Sequence, residues 1–442
     1  MCERGPMNPI EQKKLLMDVS PGSPMHDLMR RFWWPVCLTR DVAEPDGDPT
    51  RLRVLGNDYV VFRDSQGRLG ILDELCTHRS ASLCLGRNEE GGLRCLYHGW
   101  KFAVDGTVLD TPNVRDDRFK QRVRQPAYGV REAGGIVWGY FGPPEAEPPL
   151  PHHPFFDLPE DNVVVELVVA SANYTRVVEG LLDSSHTGVL HQDALKKLDS
   201  SSGPAPTLGG RTRASTGAVL AKNLAPDIEV QEADFGLRYA AIRTVRNEDG
   251  TESRAARITS YAFPTTIFVP PDHLMQITLP VDNDRSHFFM IFWDPTRQIG
   301  VGAARDELRA YYGIDDIGMD TWGLGREFHD LPGRPRKENN WGQDREAMRN
   351  GSFTGMHRFI PEDFGVAASM GPMDRFPIEH LVPADLAIAR FRRRLIDNAQ
   401  RVARGEEPLG LNYTQQPRGD YLVLEEGRSW KDHFAEADRS GV

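Results

Sequence analysis

The sequence predicts an α+β protein, with an N-terminal all-β domain followed by an α+β domain whose antiparallel sheet is flanked by helices. Three observations carry this. Short alternating segments separated by turn residues fill roughly residues 40–142, as in Arg51-Leu52-Arg53-Val54-Leu55 and Asp58-Tyr59-Val60-Val61-Phe62-Arg63. The run Pro143-Pro144-Glu145-Ala146-Glu147-Pro148-Pro149-Leu150-Pro151 then reads as a linker. Beyond it, strand patterns and helix patterns intermix to the C-terminus. At 442 residues the chain has room for two or three domains of about 100–150 residues each.

In chain order, residues 1–39 form a helical N-terminal segment. Within it, Ser23-Pro24 offers an N-cap with proline in the first turn, and Met25 to Trp34 reads as a short amphipathic helix. The all-β domain spans 40–142, with the Asp64-Ser65-Gln66-Gly67 turn dividing two of its strands. The linker covers 143–154 and the second domain 155–442. There Val163–Val169 reads as a strand and Tyr174 to about Gln192 as a helix. Strands are expected at Leu237–Arg246, Ala256–Phe263, Leu274–Pro280 and His287–Trp293. Helices are expected at Val301–Tyr311 and from Pro383 to about Arg404. The irregular stretch 312–350 is long enough to imply a functional or interface role.

Composition excludes several function classes. The formal net charge of −11 argues against a general nucleic-acid-binding surface. The basic run Arg392-Arg393-Arg394 lies in a helical pattern and reads as a solvated or ion-paired face. No apolar stretch approaches the ~20 residues of a membrane-spanning helix, and the N-terminus lacks the apolar core of a signal peptide. Five cysteines in a chain of this length are not a disulfide framework. Cys2, Cys37 and Cys84 are read as free thiols, which fits the cytoplasm.

The remaining cysteines carry chemistry. Cys76-Thr77-His78 and Cys95-Leu96-Tyr97-His98 each pair one cysteine with one histidine. Two thiolates for one iron and two imidazoles for the other is the ligand set of a Rieske [2Fe–2S] cluster. The competing reading is a structural zinc site, which also takes two cysteines and two histidines. Zinc-finger spacing, however, groups the cysteines in one half and the histidines in the other. Here each half is mixed.

The run CTHRSASLCLGRNEEGGLRCLYHGWKF resembles the Rieske domain of aromatic ring-hydroxylating oxygenases. Respiratory Rieske proteins carry a further cysteine in each half, joined as a disulfide; those places hold Ala81 and Tyr97 here. The resemblance therefore implies the oxygenase type of cluster, ligated by Cys76, His78, Cys95 and His98.

A second constellation lies in Asp183-Ser184-Ser185-His186-Thr187-Gly188-Val189-Leu190-His191. Two histidines near a carboxylate are the material of a mononuclear 2-His-1-carboxylate iron site. Five residues apart, His186 and His191 stand about 140° apart around a regular helix, so they share a metal only if the helix breaks, and Gly188 is a candidate break. Asp183, three residues before His186, is placed to hydrogen-bond its other ring nitrogen.

This Asp-x-x-His-x-x-x-x-His pattern is similar to the catalytic iron motif of Rieske oxygenase α subunits. The resemblance implies that His186 and His191 bind Fe(II) and that Asp183 links the two metal centres. The segment from Arg345 through Pro361-Glu362-Asp363-Phe364-Gly365 to Ser369-Met370-Gly371-Pro372 resembles the phthalate dioxygenase-like branch. It assigns Asp363 as the third ligand, with Glu362 and Asp374 as the neighbouring alternatives. Phe364-Gly365 departs from that branch's usual Met-Ala, and Ala368 from its usual glutamate.

The resemblance implies an oxygenase component that uses O2 to hydroxylate a phthalate-like or other substituted aromatic. Electrons would come from NADH through a separate reductase, in some members through a ferredoxin; no glycine-rich dinucleotide fingerprint is present in this chain. It further implies a homotrimer or trimer-based oligomer, in which the cluster of one subunit serves the iron of the next. The branch also contains monooxygenases that remove O- or N-alkyl groups. A carboxylate substrate calls for an arginine, for which Arg211, Arg213, Arg243, Arg246 and Arg257 are candidates. Ile267–Pro270 and Leu274-Met275 instead suit a neutral ring. Two non-enzymatic alternatives are a Rieske electron carrier with one iron centre and a zinc-binding regulator. Both leave the Asp183–His191 motif unexplained.

Overall fold

Hairpins closed by their own turn residues build the first of two units. In the computed structural model, described over residues 7–195, 207–208, 211–212, 223–246, 250–270, 273–326, 331, 333–372 and 379–440, the chain divides into Val19–Asp157 with Leu279–Asp282, and Met1–Asp18 with Leu158–Thr278 and Asn283–Val442. The first unit holds β1 (Trp33–Leu38), β2 (Thr50–Val54), β3 (Asn57–Arg63), β4 (Leu69–Asp73), β5 (Arg87–Glu89), β6 (Gly92–Arg94) and β7 (Lys101–Phe102). It continues with β8 (Val108–Asp110), β9 (Ala127–Ala133) and β10 (Ile136–Tyr140). One sheet has the order β1-β10-β9-β4-β3-β2 and a second the order β5-β6-β7-β8. The buried Asp64 carboxylate closes the β3–β4 turn, accepting from the backbone of Gln66 and Arg68 and from the Arg68 guanidinium at 2.7 Å. Gly67 takes the left-handed φ of +75° that this turn needs.

The N-terminal segment departs from its reading. The helix is Pro24–Met29 alone, capped by the Ser23 side chain on the His26 backbone. Trp33 and Trp34, expected to end the helix, instead begin the edge strand β1, paired antiparallel with β10. Trp34 precedes a proline and is therefore steered away from helix. Pro35 lacks an N–H and is tolerated on an edge, where the register shifts between Pro35 and Cys37. The proline-rich stretch after residue 142 is fastened down. Pro148 accepts a hydrogen bond from the Trp33 indole, and Ala146 accepts one from the Tyr140 hydroxyl.

The second unit contains β11 (Val163–Ala170), the short pair β12 (Thr207–Leu208) and β13 (Arg211–Thr212), then β14 (Asp227–Ala233), β15 (Gly236–Arg246) and β16 (Glu252–Ala262). After these come β17 (Thr266–Phe268), β18 (Leu274–Pro280), β19 (Ser286–Trp293) and β20 (Asp420–Leu424). The main sheet runs β11-β19-β18-β17-β16-β15-β14, with β20 also paired to β16. β19 is buried along its whole length, as a strand covered on both faces must be. The helix Leu386–Ala403 buries Ala387, Ile388, Phe391, Leu395 and Ala399, a helical stripe. Its Arg392 pairs with Glu179 at 2.7 Å and Glu379 at 2.6 Å, and Arg394 pairs with Glu232, so the basic run is an ion-paired face. Within 312–350 the chain forms short turns and the helix Arg345–Arg349, capped by Asp344.

Candidate metal centres and active-site cavity

Two loops of the first unit bring Cys76, His78, Cys95 and His98 together, and both are built alike. Cys76 N–H donates to Ala81 O and Cys95 N–H to Trp100 O; Ser80 N–H returns to Cys76 O and Gly99 N–H to Cys95 O. Ser80 and Gly99 both take left-handed φ, +57° and +76°. The cysteines belong to the core, packed with Leu83, Leu93 and Phe102, while Leu75, Leu96 and Tyr97 around them are exposed. The His78 and His98 rings lie 4.5 Å apart. Burial pushes the Cys76 thiol up to about 11, and the backbone N–H groups of His78 and Arg79 pull it the other way.

His98 Nδ1 is buried and has no hydrogen-bond partner among the described residues, which suits an atom reserved for a metal. Other side chains hold these loops. Gln125, buried, accepts from Thr77 N–H and donates to the Asp73 and Leu75 carbonyls. Trp100 stacks on His78 at 4.5 Å and 4°, its indole donating to Asn113.

The second site forms where a helix is stopped. Tyr174–Leu182 ends at Asp183, whose Oδ1 accepts from the Ser185 backbone at 2.7 Å, the Ser185 hydroxyl and the His186 backbone. Such a turn competes with helix. The buried Arg243 guanidinium reinforces it, donating to Ser184 O at 2.8 Å. The break therefore lies at Asp183–Ser185, not at Gly188, which is inside the short helix Thr187–Leu190. His186 and His191 flank that single turn, with ring centroids 5.2 Å apart. Asp183 and His186 meet across the turn rather than along a helix face, Oδ2 standing 3.6 Å from Nδ1.

Asp363 comes from the helix Phe359–Ser369, one residue after the Glu362 of its first turn. Its Oδ1 lies 3.1 Å from His191 Nε2 and 3.5 Å from His186 Nε2. Ligand atoms of His186, His191 and Asp363 all fall within 4.8 Å of one another, a group able to hold a metal ion. Glu362 points elsewhere. Its Oε2 is 2.7 Å from His191 Nδ1, and its Oε1 accepts from the Thr354 hydroxyl at 2.7 Å. Asp374 lies outside the described residues.

The electrostatics favour a cation. Burial disfavours a charged His186, yet the Asp183 and Asp363 carboxylates outweigh it and raise its pKa to about 10. Burial likewise opposes the charged form of Asp183, but His186 and the Ser185 donors draw it down to about 2. Asp363 is held far below the usual carboxylate range by both histidines, against its burial.

The three residues face a cavity of about 140 Å³, also lined by Arg257, Val269, Pro270, Leu274, Gln276, Tyr311, Tyr312 and Phe359. The expected arginine and the expected apolar wall therefore share one space. Arg257 donates to Thr259 at 3.2 Å, and among the described residues neither it nor Arg243 forms a salt bridge. Burial, then the neighbouring Arg257, lowers Arg243 to about 10. Arg213 lies outside the described residues, as do the side chains of Arg211 and Arg246.

The family model for the Rieske [2Fe-2S] domain matches residues 32–127, and the one described as LigXa C-terminal domain like matches 139–439. Phthalate 4,5-dioxygenase oxygenase subunit from Pseudomonas putida is 34% identical over 96% of this chain and 94% of its own length. The chain belongs to the Rieske oxygenases, in the phthalate dioxygenase-like branch. A 5,5'-dehydrodivanillate O-demethylase oxygenase subunit from a Sphingobium species is 27% identical to this oxygenase over 91% of the chain and 82% of the relative. The crystal structure of dicamba monooxygenase bound to dicamba shares its fold, with a TM-score of 0.53 and 18% identity over 85% of this chain and 99% of that one. No helix among the described residues is long and apolar enough to cross a membrane.

The sequence offered Glu362 and Arg243 in other roles and was silent on Thr354, Gln125 and Trp100. They are side chains that hold the site residues, and only the His-Gly-Trp run beside the second cluster loop hinted at one of them.

Proposed function

We propose that this oxygenase is the terminal component of a multicomponent system that hydroxylates an aromatic carboxylate, with O2 and with electrons from NADH delivered by a separate reductase. The observation that carries the reading is the shared cavity, where His186, His191 and Asp363 face the same space as Arg257. It has room for a ring, since a cavity of ~150 Å³ holds benzene, and a second cavity of about 410 Å³ is lined by the same Asp183, His186 and Asp363. A carboxylate on Arg257 would complete a cation that the described residues leave without an anion, and Val269, Pro270, Leu274 and Phe359 would flank the ring. The relative named for phthalate supports an aromatic acid.

In this reading His186, His191 and Asp363 hold Fe(II), and Cys76, His78, Cys95 and His98 hold the [2Fe–2S] cluster. When bound, the cluster supplies electrons singly and the ferrous ion supplies open positions for O2. Dihydroxylation balances with two electrons from NADH and two from the ring double bond; both oxygen atoms enter the product and two protons are consumed. Arg257 orients the acid and the aromatic wall excludes water. Asp183 couples the centres. Its Oδ1 is occupied by its own turn, while Oδ2 takes no hydrogen bond among the described residues and faces His186. A homotrimer in which Oδ2 also accepts from His98 of the neighbouring subunit fits that geometry. The exposed Leu75, Leu96 and Tyr97 around the cluster loops support such docking. Cys37 and Cys84 form no disulfide among the described residues, in accord with a cytoplasmic setting.

The O-demethylase relative favours a second reading, oxidative dealkylation, in which one oxygen leaves as water and the alkyl carbon as an aldehyde. An oxygen-uptake screen of aromatic acids with a generic reductase decides. Ring hydroxylation yields a cis-diol without aldehyde, dealkylation yields formaldehyde from methoxy acids, and uptake by neutral aromatics alone would contradict the carboxylate assignment.

A further inference from the structure

The two histidines of the proposed iron site are held unequally. His186 Nδ1 has no hydrogen bond among the described residues; Asp183 stands 3.6 Å away. His191, 2% exposed, is clamped. Its Nδ1 is 2.7 Å from Glu362 Oε2, and Glu362, equally buried, has its other oxygen bonded to the Thr354 hydroxyl. The Thr354 oxygen in turn accepts from Met356 N–H at 3.1 Å. An ionised carboxylate only accepts, so Glu362 takes the Thr354 hydroxyl proton on one oxygen and the His191 Nδ1 proton on the other. With the proton on Nδ1, the Nε2 lone pair faces Asp363, 3.1 Å away.

We infer that Glu362 is the positioning residue of this centre, a carboxylate that fixes the tautomer and orientation of His191 and makes it the rigid anchor for iron. The inference rests on the reading of His186, His191 and Asp363 as an iron site. It explains how successive residues of one helix turn serve one imidazole from opposite sides: Asp363 at Nε2 and Glu362 at Nδ1. Glu362, the neighbouring alternative to Asp363 as ligand, thus stands behind the imidazole. A carboxylate behind a ligating histidine raises its basicity and removes its rotational freedom, and losing such a partner typically costs about 10- to 100-fold in metal affinity.

The test is release of mononuclear Fe(II) from purified protein to a chelator, followed beside the reduced-cluster EPR signal and the EPR of the nitric oxide adduct. Glu362→Ala should release iron about 10- to 100-fold faster, with a broadened nitric oxide spectrum and an unchanged cluster signal. Glu362→Gln keeps an acceptor but not the charge and should fall between Ala and wild type; it decides the matter where Glu362→Ala does not fold. Thr354→Val should shift release in the same direction by less. Wild-type release and spectra in both Glu362 variants would overturn the inference. A wild-type protein holding no iron outside its cluster would instead overturn the iron site beneath it.

Discussion

The cluster loops and the His186–His191–Asp363 centre fix their ligands by different means. The cluster loops are two copies of one backbone device, with the same pair of hydrogen bonds and the same left-handed turn residue after each cysteine. Their ligands are local, and the cysteines are planted in the core. The second centre has no such template. A turn made by Asp183 sets two ligands, a distant helix brings the third, and carboxylates hold the imidazoles. A backbone-built site leans mainly on its own loops, here braced by Gln125 and Trp100, whereas a side-chain-built site depends on partners scattered through the fold. Substitutions should therefore stay local in the first region and spread in the second.

The largest effect expected is loss of the cluster. His78→Ala or His98→Ala should abolish the EPR signal of low average g and all turnover, yet leave mononuclear iron in place. Loss of both metals together would contradict the independence of the two regions.

Asp183→Asn should come next. It keeps the turn but loses the charge; with Asp183 coupling the centres as proposed, most turnover should vanish while both metals and the oligomeric state persist. Single-turnover measurements should show slowed cluster oxidation. A near-normal rate would reduce Asp183 to a helix stop, which is the one role its Oδ1 already performs.

Arg257→Gln should act on binding alone. Removing a charged hydrogen bond costs about 1.5–3 kcal/mol, so KM for an aromatic acid should rise roughly ten- to a hundredfold while kcat and iron content hold. Steady-state kinetics with the acid and its methyl ester check this, because the ester should not discriminate between the two proteins.

The smallest effect concerns pH. His186 in the metal-free protein has its pKa raised from 6.5 to about 10. The proton it keeps stabilises that form fully below pH 6.5, and the benefit is lost as pH rises through about 10. Iron must displace this proton, so Fe(II) affinity should climb across the same window. Thermal unfolding of stripped and loaded protein from pH 6.5 to 9 should show a widening gap. A constant gap would mean that His186 does not share its proton with Asp183 and Asp363.

This contrast also governs what could be read from the sequence. Cys76, His78, Cys95 and His98 were legible because their spacing is the site. The Asp183–His191 motif was legible as residue types, but its geometry was not. Gly188 looked like the weak point of the helix, yet the competing hydrogen bonds of Asp183 broke it earlier. Trp33-Trp34 looked like a helix end, and pairing with β10 overrode that local pattern. Glu362 could be seen beside Asp363, but only the orientation of a helix turn shows that it faces His191. Arg257 was one arginine among five until the fold placed it in the cavity.

Iron counting in wild type and Asp363→Ala, with cluster EPR as the internal standard, tests the central claim most directly. Two irons in the cluster and one in the second centre predict about three per chain in wild type. Asp363→Ala should hold about two, with an undiminished cluster signal and no product. About three irons in both proteins, or zinc in a colourless wild type, would contradict the account.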